Sequence, residues 1–109
     1  MIGRRFQDVV ERQLAVFVAD QDELLRACAE AEAVYGRAGA EGAEEAYGEL
    51  AELLDAVAER LYDMRETYAG GLGSDDADSY RSRFDRAVRK RLPQVAETYR
   101  ALAAETDLD

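Results

Sequence analysis

The sequence predicts an all-α fold, an antiparallel up-down-up bundle of three long helices with the third kinked near Pro93. Three observations lead there. Strong helix formers dominate the 109 residues, with twenty alanines, eleven leucines and thirteen arginines, while Val and Ile together number nine. Apolar residues recur at steps of three and four through three long segments. Glycine-rich stretches at residues 36–42 and 70–73 separate those segments, where a chain leaving a helix needs them.

Helix one is predicted over about residues 3–35, on the spacing of Phe6, Val10, Leu14, Phe17, Leu24, Cys28, Ala31 and Tyr35, with Gln21 taking one polar place on the seam. Helix two is predicted over about residues 42–69. Its Tyr47, Leu50, Leu54, Val57, Leu61, Met64 and Tyr68 alternate three and four without exception, a coiled-coil-like seam. Helix three is predicted over about residues 75–105, with Ser74 as N-cap and Asp75, Asp76 and Asp78 facing the positive end of its dipole. Tyr80, Phe84, Val88, Leu92, Val95, Tyr99 and Leu102 form its apolar side, and Pro93 removes a backbone donor and kinks it. Short turns make neighbours antiparallel, so the expected bundle is roughly 40 Å long at ~1.5 Å per residue. Tyr35 with Tyr47, and Tyr68 with Tyr80, would close the two hairpin ends with their hydroxyls wet. One domain spanning 1–109 is expected, since a chain of this size supports one core.

The core is lean, because twenty of the residues behind the 48% hydrophobic fraction are alanines. Cys28 is the only cysteine and there is no histidine, which removes internal disulfides, cysteine-rich zinc sites and histidine acid-base chemistry. No apolar run approaches the ~18 residues of a membrane span, and the charged start lacks a secretion signal. A soluble cytoplasmic protein is expected, and the arginine and alanine bias suggests a GC-rich bacterial genome.

The stretch RSRFDRAVRKRLP runs against a formal net charge of -10. Arg81, Arg83, Arg86, Arg89, Lys90 and Arg91 face one local acid, Asp85. Around a helix, Arg83, Arg86 and Lys90 share a stripe with Arg89 beside it, while Arg81 and Arg91 point elsewhere, so the six are not one patch. Charge pairing with acidic helix two is the expected role. Nucleic-acid binding through this helix is the alternative, opposed by an acidic background that repels phosphates.

Glu49-x-x-Glu52 and Asp63-x-x-Glu66 resemble the carboxylate motifs of the all-α, magnesium-dependent nucleotide pyrophosphohydrolases of the MazG kind. In that family the two pairs lie on different helices and converge on metal. Here they share one helix, fourteen residues and so about 21 Å apart, and the second pair reverses the acid order. They cannot share an ion within one chain, and a hydrolase stays a second alternative. Asp75-Asp76-x-Asp78 lacks EF-hand spacing, and Gly71-x-Gly73 follows no strand. No catalytic residue, metal or cofactor is expected; the chain reads as a non-enzyme.

Helix one carries more apolar surface than two neighbours require. Ile2, Val9 and Val16 form a stripe at seven-residue spacing about 100° from its seam, and Val18 and Leu25 widen the arc on the other side. Ile2, Val9 and Val16 are therefore the candidate partner-binding residues of an interaction or self-association module, a protein partner or homodimer docking on helix one. Tyr62, outside the seam of helix two, marks a possible second contact.

Overall fold

The computed structural model describes residues 5–108 and is all-helical, with α1 at Gln7–Asp20, α2 at Asp22–Arg37, α3 at Ala43–Ala69, α4 at Ser74–Arg91 and α5 at Pro93–Asp107. The three-helix expectation is corrected to five helices. Only α3 matches a predicted helix from end to end. Both outer segments are divided, each by a single residue.

The first division falls at Gln21, whose φ of -103° and ψ of 24° leave the helical region. Its backbone N–H still donates to the Phe17 carbonyl at 2.8 Å and its carbonyl accepts from Leu25 at 2.9 Å, so the chain turns with little loss of hydrogen bonding. Asp22 and Glu23 supply the reason, since acids are favoured in a first turn and disfavoured in a last one. The second division falls at Leu92, with φ -126° and ψ 60°. A residue preceding proline is pushed away from the α region, and Pro93 then opens α5 at the position where its missing N–H costs nothing. The result is a corner rather than the expected kink. Phe84 and Tyr99 face each other across it with ring centroids 6.2 Å apart, so α5 folds back along α4.

The bend at Gln21 sends α1 and α2 to different neighbours. α2 lies antiparallel on the first half of α3, where Tyr35 and Tyr47 meet at 5.6 Å and the Arg60 guanidinium donates to Gln21. α1 packs against α4, with the Phe6 ring edge-on to Tyr80 at 5.7 Å and Arg5 2.9 Å from Asp76. α3 packs most extensively with α5 and α2. The core gathers Val10, Leu14 and Phe17 from α1, Val57 and Leu61 from α3, Phe84 and Val88 from α4, and Val95 and Tyr99 from α5. The body measures 51 × 30 × 20 Å with a radius of gyration of 15.5 Å, more extended than the ~13 Å of a compact domain this size.

Two local expectations change. Gly73, not Ser74, holds the N-cap position of α4, and no side chain caps it. Tyr80 is buried, not wet, and its hydroxyl donates to Gln13 at 2.8 Å, while Tyr68 stacks on it at 4.6 Å as the hairpin-closing pair requires.

Replacing Pro93 by alanine frees the unfolded chain at Pro93 and at the preceding Leu92, while the packing of Val95 and Tyr99 keeps the corner in place. The expected outcome is a loss of about 1 kcal/mol in urea unfolding, with helical content and denaturant slope unchanged.

Candidate functional site

Before the bend at Gln21, α1 packs on α4 rather than closely on α3, and an open groove of about 900 Å³ lies between α1 and α3. Val9, Gln13 and Val16 form one wall; Met64, Tyr68 and Leu72 form the other. Val16 is 49% exposed and Tyr68 36%, whereas Val9 is half-buried against the core. Gln13 is tied down by Tyr80, whose own proton is held up to about 12 by burial, with the Gln13 hydrogen bond acting in the opposite direction. Arg12 and Asp63 stand on opposite rims. Neither makes an ion pair among the described residues. An apolar trough of this kind, about two helical turns long from Val9 to Val16, suits the side of another helix.

Below the far end of α3 lies a polar cluster that sequence reasoning missed. Arg65 is 1% exposed, the only buried charged side chain among the described residues. Its guanidinium donates through Nη1 to both Asp85 oxygens at 3.0 Å, through Nη2 to Asp107 at 2.9 and 3.1 Å, and through Nε to Glu66 at 3.0 Å. Tyr99 donates to Asp85, Tyr62 donates to Asp107 at 2.8 Å, and the Tyr62 ring lies 4.8 Å from the guanidinium carbon. Arg81 then binds Glu66 at 2.8 and 2.9 Å. Burial works against the Arg65 cation, yet Tyr99, Asp85 and Asp107 outweigh it and hold it protonated. Arg81 draws the Glu66 carboxyl below its usual range. Burial would raise Asp107, but the hydrogen bonds from Tyr62 and Arg65 prevail and lower it. Every carboxylate in the cluster is occupied by a cation, so the group is a clamp joining α3, α4 and α5 rather than a source of free acid or base. A recess of about 390 Å³ in the angle between α4 and α5 borders it, floored by Asp85, Tyr99 and Asp107.

The structure brings Val9 and Val16 together on the groove, while Ile2 lies outside the described residues. Val18 and Leu25, the other side of the wide apolar arc, pack against the core. Tyr62 is not a second exposed contact: it is half-buried and spent within the clamp. Met64 and Tyr68, assigned to the seam of helix two, are instead the far wall of the groove. Of the six basic residues, Arg81 alone pairs with an acid of α3 among the described residues; Arg86, Arg89, Lys90 and Arg91 are exposed. Glu49, Glu52 and Asp63 are exposed along α3, and no group of three or more His, Cys, Asp or Glu among the described residues is placed to hold a metal ion. Burial, with Glu32 nearby, raises the Cys28 thiol and keeps it protonated. Among the described residues no helix is long and apolar enough to cross a membrane. No family model, curated protein or solved structure matches the chain.

Arg65→Ala removes the shared cation and leaves its carboxylates facing one another. Because Asp85 and Asp107 are each partly exposed and can rehydrate, the expected loss is near the lower end for a broken buried pair, about 3 kcal/mol in urea unfolding. The same clamp sets the acid response. Glu66 and Asp107 are more acidic folded than unfolded, so their contribution is complete above the ordinary carboxylate range and is lost as pH falls through the lower folded values. Parent stability should hold level from neutrality to about pH 5 and fall below about pH 4, and Arg65→Ala should make that fall shallower.

Proposed function

We propose that the chain is a non-enzymatic interaction module that docks a helix of a protein partner in the groove between α1 and the second half of α3. The observation that carries this reading is the placement of Val9 and Val16 opposite Met64, Tyr68 and Leu72, an apolar trough left open by the division at Gln21. An exposed valine and tyrosine facing one another across an open channel form a contiguous patch, unlike scattered surface apolar residues. Helix-in-groove recognition uses such a trough, with side chains spaced three, four and seven residues apart on the incoming helix. The Arg12 and Asp63 rims supply one charge of each sign for orientation. The clamp around Arg65 supports the reading from below, because it fixes the α3 wall against α4 and α5.

A benzophenone amino acid placed at Val16 tests this in cells producing the full chain. Irradiation should give covalent protein adducts from position 16 and none from Ala29, which is exposed on α2 away from the groove. Equal yields from both positions, or none from either, would overturn the reading.

A further inference from the structure

The face of α1 along the groove is self-complementary when turned end for end. Val9 and Val16 stand equally far from the midpoint between Arg12 and Gln13, and so do Arg5 and Asp20. At ~100° per residue, Val9, Val16 and Asp20 fall within one narrow stripe of α1; Arg5 lies outside the helix, before the left-handed Phe6 (φ 69°), beyond the opposite end of the stripe from Asp20. From one end to the other the face reads cation, valine, Arg12 with Gln13, valine, anion.

Resting on the groove reading above, we infer that the occupant is α1 of a second copy of this chain, antiparallel across a two-fold axis between Arg12 and Gln13. A two-fold contact uses the same patch on both partners, and the valines and the end charges of this patch meet that demand. Val9 of one copy meets Val16 of the other, twice. Arg5 meets Asp20, twice. The Arg12 side chains, brought near each other beside the axis, have a countercharge in Asp63 on the α3 wall. Met64 and Tyr68 of each copy flank the incoming helix and extend the apolar contact beyond the two valines. A parallel arrangement would set Arg5 beside Arg5 and Asp20 beside Asp20, so charge selects the antiparallel one. Arg5 lies 2.9 Å from Asp76 of its own chain, an exposed pair of the same strength as one to Asp20, so in the dimer the guanidinium is shared between Asp76 and the incoming Asp20 rather than taken from one by the other.

Two single substitutions in the full chain test the pairing, Arg5→Glu and Asp20→Arg. Each alone places like charges at both ends of the two-fold contact, while a mixture restores opposite charges at both ends. Light scattering on a sizing column should give the parent a mass of twice 12.1 kDa. Each variant alone should have its dimer Kd raised about tenfold or more. An equimolar mixture should recover the dimer mass, as should the chain carrying both substitutions; circular dichroism checks that helical content is kept throughout. A monomeric parent overturns the second copy as occupant, and crosslinking from Val16 to a different protein would then leave the groove reading standing. A parent dimer that ignores both charge changes overturns the antiparallel register.

Discussion

The buried guanidinium of Arg65 is the constraint on which the arrangement of the second half of the molecule depends. A planar cation with fixed donor directions admits few placements for the carboxylates around it. Asp85 comes from the middle of α4 and Asp107 from the end of α5, so satisfying both sets where each helix lies along α3. No buried side-chain nitrogen or oxygen among the described residues lacks a partner, and the cost of taking Arg65 out of water is thereby offset. Such a cluster contributes less to net stability than its many contacts suggest. Its larger effect is to make one packing of three helices much better satisfied than its neighbours.

The divisions at Gln21 and Leu92 give a lean chain more than one way to use its apolar faces. With few large apolar side chains, three straight rods would leave part of each face bare at the ends. The corner at Leu92 returns α5 along α4 so that Phe84, Val88, Val95 and Tyr99 all reach the same core. The bend at Gln21 lets residues 22–37 cover the first half of α3 while α1 crosses to α4. The open edge of the second half of α3, along Met64 and Tyr68, is the geometric remainder of that choice. Groove and bend are one feature seen from two sides.

The all-helical composition, the limits of α3 and the two tyrosine pairs were legible in the sequence, because each rests on local spacing. The buried face of α3 was legible only in part. A straight helix drifts ~20° per heptad against a 3.5-residue repeat, and over three heptads the strict seam turns off the core. Buried positions pass from Leu50 and Val57 to Ala58, Leu61, Arg65 and Ala69, leaving Met64 and Tyr68 at the edge. The signal for Arg65 was its place four residues after Leu61 and four before Ala69; a charge there reads as surface until its acids are known, and those lie twenty and forty-two residues away. Val9 and Val16 were legible as apolar surface in excess of two neighbours, but their opposite wall was hidden by being read as core. The break at Gln21 was hidden by its seam position, although the adjacent Asp22 and Glu23 are start signals for a new helix.

α2 contributes one buried side chain, Cys28, and with the first half of α3 it forms an arm whose tip exposes Val34, Tyr35 and Tyr47. Residues 22–55 hold ten acids and two arginines, so most of the chain's net charge repels itself along that arm. Stability is thus graded along the long axis. Amide protons of α2 are therefore expected to exchange through local openings of low free energy, and those of α3 beyond Leu61, together with α4 and α5, to wait for the whole core to open. Added salt, by screening the arm, narrows the gap between the two. Because α1 is anchored on α4 rather than on α2, the arm can open and close as a separate cooperative unit without disturbing the walls of the groove.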